Sequence, residues 1–355
     1  MRYISPWVPP EWIAAHGLRP VRWVPGATAA RRLTSGPMGV CPFALAVAAS
    51  AAEAPGRAVV VAARCDQLRR TADAIGPDDS VSVDARGRAS LLPAVGGALG
   101  EVVLPDVPRE VPAVFLLAVP ATAGNPNAED CYRLELERLG RFLVRRGGRP
   151  PAAGALRREM QRYAEARLEL RARRGEFGAR AFAEAVIRVE SDGTLPPKQE
   201  GRPSPAGRAG IPVALVGGPL RRTHLELLDR IESRGGRMVL DATENGERGL
   251  PPPSEAERAQ RDPLGALAHA FLEGIPDVAQ RPNTGFHAWL AGRVRERGAR
   301  GVIAWHYPWC DVWQAEVARL QETLGVPVLD LDAGDSEGLT PQVDTRLQAL
   351  LEMLT

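Results

Sequence analysis

The side chains in this sequence best suited to chemistry are cysteines, and three of the four share a placement. Cys41 lies in Gly39-Val40-Cys41-Pro42-Phe43, Cys65 in Arg64-Cys65-Asp66-Gln67-Leu68-Arg69-Arg70, and Cys310 in Trp309-Cys310-Asp311-Val312-Trp313. Each falls in a loop or at the start of a helix. A single cysteine is most often a small buried hydrophobe, but three in such positions point to ligation. Thiolates are the soft donors that iron–sulfur clusters require, and helix N-termini with arginines such as Arg64 and Arg69 nearby stabilise their negative charge. Three protein thiolates on a four-iron cluster would leave one iron open to a substrate oxygen. Structural zinc, with His306 as fourth ligand, is the competing reading, although the C-x2-C spacing common in such sites is absent. Cys131, in Ala128-Glu129-Asp130-Cys131-Tyr132-Arg133, begins a charged amphipathic helix and reads as an incidental helix residue.

Ser5, Glu11 and His306 are the candidate catalytic groups, as acid, base or hydroxyl ligand. Ser5, Glu11 and His16 fall in or just after Ser5-Pro6-Trp7-Val8-Pro9-Pro10-Glu11-Trp12, where Pro10 suits a first helical position and Gly17 a helix end. Taken alone, each such residue is more often a cap or a surface group. Trp305, Trp309 and Trp313 flank Cys310, either as ordinary core packing or as an aromatic shell that keeps water from a low-potential cluster.

The elements that must position these residues alternate between short apolar runs and helical periodicity, the pattern of parallel α/β sheets. In the second half, strands are expected at Ile211 to Val216, Arg237 to Leu240, Val302 to Trp305 and Pro327 to Leu331. Helices are expected at His224 to Glu232, Pro263 to Leu272, Thr284 to Glu296, from an Asp311 cap to Leu324, and at Thr340 to Leu354. In the first half, Pro20 to Val24, Ala58 to Ala63 and Val114 to Val119 are the strand candidates. Asn127 to Glu190 should form two or three helices broken near Gly147-Gly148-Arg149-Pro150-Pro151, and Gly193 to Gly210 a linker. The expected fold is α/β, with two Rossmann-like parallel-sheet domains and a helical insertion between them. Its expected bounds are 1–125, carrying Cys41 and Cys65, then 126–208, then 209–355, carrying Cys310. Ligands gather beyond the carboxyl ends of strands in open α/β sheets; Cys65 and Cys310 occupy that edge in separate halves.

With 355 residues, 45% of them hydrophobic, the chain can fill two cores. A net charge of +2, from 45 basic and 43 acidic residues, gives no reason to expect a nucleic-acid or membrane surface. The start lacks a signal-peptide core and no apolar run reaches about 18 residues, so a cytoplasmic location is expected. Lys198 is the only lysine and sits in the linker, which excludes a Walker-A lysine. Any ATP chemistry would belong to another polypeptide.

Together these segments resemble the 2-hydroxyacyl-CoA dehydratase and benzoyl-CoA reductase superfamily, from Tyr3 onward. The resemblance is carried by Tyr3-Ile4-Ser5-Pro6-Trp7-Val8-Pro9, Cys41-Pro42-Phe43, Cys65-Asp66-Gln67-Leu68-Arg69-Arg70 and Cys310-Asp311-Val312-Trp313. Gly246-Glu247-Arg248, the run from Gly325 to Asp330 and the closing Thr345-Arg346-Leu347-Gln348-Ala349-Leu350-Leu351-Glu352 add to it. It implies that Cys41, Cys65 and Cys310 hold a [4Fe–4S] cluster. It also implies a dimer with a related second subunit or with itself, an acyl-CoA substrate, and one electron from a separate ATP-hydrolysing iron–sulfur activator. The implied activity is a lyase one, radical elimination of water from a 2-hydroxyacyl-CoA. Reduction of an acyl-CoA of the benzoyl-CoA type, or a cluster-carrying electron-transfer role, are the alternatives. Glu244 stands where some members have another cysteine, which argues against a double-cubane cluster.

Overall fold

The computed structural model describes residues 1–26, 39–52, 58–75, 81–83, 89–91, 114–122, 124–197, 209–334, 336 and 338–355. Lys198 and most of the expected linker lie outside the described residues. Two four-stranded sheets, each wholly parallel, organise the chain.

The first sheet is built from β1 (Arg2–Ile4), β2 (Val21–Arg22), β3 (Val59–Ala63) and β6 (Val114–Ala118), in the order β2-β1-β3-β6. An antiparallel pair, β4 (Val81–Val83) and β5 (Ala89–Leu91), stands apart from it. The second sheet contains β7 (Ile211–Gly217), β8 (Gly236–Ala242), β9 (Gly301–His306) and β10 (Val328–Asp332), in the order β10-β9-β7-β8. β3 and β9 are apolar and buried throughout but for the closing His306, itself buried, as strands covered on both faces must be.

Twelve helices cover these sheets among the described residues. The first half carries α1 (Pro10–Ala15), α2 (Pro42–Ala52) and α3 (Asp66–Ile75). Three helices follow between the sheets, α4 (Pro126–Arg145), α5 (Ala155–Ala172) and α6 (Ala179–Asp192), so the expected helical insertion contains three. The second half adds α7 (Glu226–Ser233), α8 (Ala256–Arg261), α9 (Pro263–Leu272), α10 (Thr284–Glu296), α11 (Asp311–Thr323) and α12 (Pro341–Met353). Asn125 caps α4 by accepting the Asn127 amide hydrogen at 2.9 Å, with Pro126 opening the helix. Cys131 lies exposed on α4.

Alternation along the first sheet divides the core. Ile4, Val59 and Val61 face a cluster that also contains Leu215, Trp305 and Tyr307 of the second half. Tyr3, Val60 and Phe115 face the other way, against Leu136 and Phe142 of α4 and Phe271 of α9. The two sheets therefore share one apolar core.

In each sheet the chain adds a strand on one side and then crosses to the other, which fixes a switch point. The first lies between β1 and β3, the second between β7 and β9. Loops leaving adjacent strands diverge there and open a crevice at their carboxyl ends. Ser5 and Cys65 follow the first pair of strands, Gly218 and Cys310 the second. Among the described residues no helix is long and apolar enough to cross a membrane.

Candidate metal centre

Both crevices open onto one cavity of about 70 Å³, where a single water needs roughly 10–15 Å³. Cys41, Cys65, Cys310, Ser5 and His306 all line it, and Phe43, Leu68, Val312 and Trp313 make it largely apolar.

Each of the three thiols stands where a helix begins. Cys41 precedes α2, whose Leu45 amide donates to the Cys41 carbonyl at 3.0 Å. Cys65 precedes α3 in the same way, with Arg69 donating to its carbonyl at 3.2 Å. Cys310 is the N-cap of α11 and accepts from Trp313 and Gln314 at 3.1 and 3.0 Å, so Asp311 is the first helical residue and not the expected cap. The turn into Cys310 places Trp309 in the left-handed region, with φ 63°. Gln67 ties the first two cysteines together: its Oε1 accepts from the Cys41 amide at 3.0 Å, and its Nε2 donates to the Gly39 carbonyl at 3.3 Å.

Burial dominates the electrostatics. It pushes the Cys65 thiol up to about 11, against the Leu68 and Gln67 amides, with Cys41 and Glu244 adding to the rise. It pushes Cys310 up to about 12, where Cys41, Cys65 and Glu244 raise it and the Trp313 amide lowers it. Cys41 is raised by burial too, opposed by the amides of Ala44 and Phe43 and by Arg221. Burial thus favours the neutral thiol at all three, with Cys41 adding to the rise at Cys65 and both adding to it at Cys310. Among the described residues no group of three or more His, Cys, Asp and Glu side chains is arranged to hold a single metal ion. A cluster asks for something different, because its thiolates sit on separate irons. Three soft donors, helix-start amides and an apolar wall fit such a group.

Ser5 follows β1 in a left-handed conformation, with φ 85°, and its buried Oγ has no hydrogen-bond partner. Such strain persists only where surrounding structure enforces it. His306 reaches Asp330 with Nε2 at 2.7 Å; the Asp330 side chain is 44% exposed, so the pair joins the cavity to solvent. Glu11 is not among the lining residues. Its carboxylate pairs with Arg167, which also binds Glu190 at 2.6 Å, in a triad buried between α1, α5 and α6.

One lining residue, Asp277, had no signal in the sequence beyond its position. Asp277 joins Arg64 at 3.0 Å to Arg248 at 2.7 Å, and Arg248 also donates to the carbonyls of Ala242 and Gly217 at 2.9 and 2.8 Å. Arg64 stacks 4.5 Å over Trp7 and donates to Pro120 at 3.0 Å. Glu244 faces the cavity too, with a loose 3.9 Å ion pair to Arg22. Burial raises its carboxyl, against Arg248 and Arg22.

A model of the family HGD-D, described as 2-hydroxyglutaryl-CoA dehydratase, D-component, matches residues 178–354. The chain belongs to the 2-hydroxyacyl-CoA dehydratase superfamily. It is a component of dehydratase type. No curated protein matches the chain. The match in this superfamily member covers the second sheet and Cys310, whereas Cys41 and Cys65 precede it. The fold itself joins those two thiols to the matched region.

Proposed function

We propose that this chain is the cluster-bearing subunit of a 2-hydroxyacyl-CoA dehydratase, with Cys41, Cys65 and Cys310 as the ligands of a [4Fe–4S] cluster. The observation that carries the proposal is the meeting of three thiols, from three helix starts and two sheets, on one apolar cavity. A bound cluster would supply a single low-potential electron at that place.

The substrate explains the need for it. The β-hydrogen of a 2-hydroxyacyl thioester is not acidic, so a base alone cannot drive elimination. One electron lent to the thioester carbonyl, and recovered after water has left, makes the step feasible without net redox change. The electron would come from an ATP-hydrolysing activator, and the chain would work paired with a related subunit or a second copy of itself.

The chain's own groups have matching tasks. Ser5 Oγ, buried and unpartnered, is free to hydrogen-bond a substrate oxygen. His306, bonded to Asp330, can pass a proton between the cavity and solvent. Phe43, Trp313 and Tyr307, which line the cavity, exclude water. Glu11 holds the surrounding helices through Arg167 and does not reach the reacting atoms. The boundaries 1–125, 126–208 and 209–355 give each sheet its own domain on this reading.

Anaerobic purification should give a brown protein with about four irons and four sulfides per chain. Cys310→Ala should lose them and Cys131→Ala keep them. A colourless, iron-free protein ends the proposal. Dehydration of a 2-hydroxyacyl-CoA with activator, ATP and reductant, abolished in Cys310→Ala, separates an enzyme subunit from an electron carrier.

A further inference from the structure

Arg221 follows β7 and is fully buried. Its Nη2 donates to His224 Nε2 at 3.0 Å and to the Ser336 carbonyl, yet its Nε and Nη1 have no partner. Other buried arginines beside the core sit against carboxylates: Arg64 and Arg248 on Asp277, Arg167 on Glu11 and Glu190. Among the described residues no carboxylate pairs with Arg221. A buried cation without a counter-charge costs several kcal/mol, so its retention calls for an anion.

The surroundings restrict where that anion can be. His224 is held neutral, pushed down to about 3 by burial and by Arg221 itself. The Tyr307 hydroxyl oxygen accepts from the Arg221 amide at 3.0 Å and from the Nδ1–H of His224 at 3.0 Å, and burial keeps the phenol neutral. The guanidinium lies 5.5 Å from the centre of the Tyr307 ring. That ring lines the cavity beside Cys41, whose thiol feels the charge of Arg221. A negative group in the thiolate cavity is thus within reach of its charge.

We propose that Arg221 is the fixed counter-charge of the cluster: a positioning residue, set behind Cys41 and Tyr307, that balances the thiolates and raises the cluster's reduction potential. This rests on the cluster reading above. A positive charge favours the reduced, more negative form, so its removal disfavours reduction.

The test is an anaerobic potentiometric titration of the iron-loaded protein, followed by electron paramagnetic resonance, in wild type, Arg221→Gln and Arg221→Lys. Arg221→Gln should cut the reduced-to-oxidised ratio at a given potential at least tenfold, equivalent to about 59 mV for one electron. Arg221→Lys should stay near wild type. An unchanged potential in iron-loaded Arg221→Gln overturns the proposal and leaves the cluster reading standing, whereas an iron-free wild type ends both. If Arg221→Gln loses its iron and Arg221→Lys keeps it, charge is the requirement and the proposal holds. If both lose it, shape rather than charge is at stake and the proposal falls.

Discussion

Asp277→Asn keeps the shape of the side chain and removes its charge, which strands two guanidinium groups. Asp277 accepts from Arg64 at 3.0 Å and from Arg248 at 2.7 Å, and all three side chains are buried. Removing one partner of a buried pair costs about 3–5 kcal/mol, because the remaining charge stays in the interior. Arg248 keeps its two carbonyl acceptors and Arg64 keeps Pro120, so a loss of about 3 kcal/mol is expected. With a urea dependence of about 3 kcal/mol/M, the unfolding midpoint should fall by roughly 1 M at pH 7. The pH dependence gives a second readout. Burial alone would raise the Asp277 carboxyl, but Arg64 and Arg248 outweigh it and hold the group below the usual carboxylate range. A carboxyl lowered in the folded state stabilises fully above its unfolded value near 3.9, and that stability is lost as pH falls through the folded value. The gap between wild type and variant should therefore be widest at neutral pH and narrow below about pH 4. Adding Arg64→Met to Asp277→Asn should recover part of the loss, since one stranded cation is gone. A midpoint within about 0.3 M of wild type would refute the shared counter-ion role.

Ser5→Gly should relieve the left-handed strain and raise thermal stability by about 1 kcal/mol, while dehydration activity falls because the free hydroxyl is lost. A Gly217→Ala methyl would stand 2.1 Å from the Trp305 carbonyl oxygen, so β7 and β9 must part; a loss of about 1–3 kcal/mol is expected in chemical melts. Alkylation of metal-free protein with iodoacetamide at pH 8, read by mass spectrometry, should label exposed Cys131 well before Cys65 and Cys310, whose burial keeps them protonated.

Much of the second sheet could be read from the residues because its strands are apolar runs of ordinary length. Val302 to Trp305 differs from β9 by one residue at each end, and the helix expected from Asp311 to Leu324 closes one residue earlier in α11. The first sheet was harder. β1 is only three residues long and has no room for a pattern, although it lies inside its sheet, whereas the two residues of β2 fall within the strand expected at Pro20 to Val24. α2 was obscured for the opposite reason: Pro-Phe-Ala-Leu-Ala-Val-Ala-Ala-Ser-Ala-Ala is small and apolar all round, and so lacks a polar face. Cys65 and Cys310 could be placed at strand ends by local reading. Cys41 follows no expected strand directly, and mainly the family motif set it beside the others. Asp277 and Arg221 act through neighbours far away in sequence, which no local spacing records.

The thiols gathered on the cavity have a bearing on how the chain matures. Cys41 and Cys310 are 269 residues apart, and one is presented by a helix between strands of the first sheet, the other by a helix between strands of the second. Such separated contacts form late, once the cost of closing the long intervening loop has been met by packing elsewhere. A nascent chain that has released only its first sheet offers two thiols and no enclosure. On the proposed cluster reading, a group held by all three thiols could be gripped only after β9 and α11 have emerged and docked, so completion of the fold would precede loading.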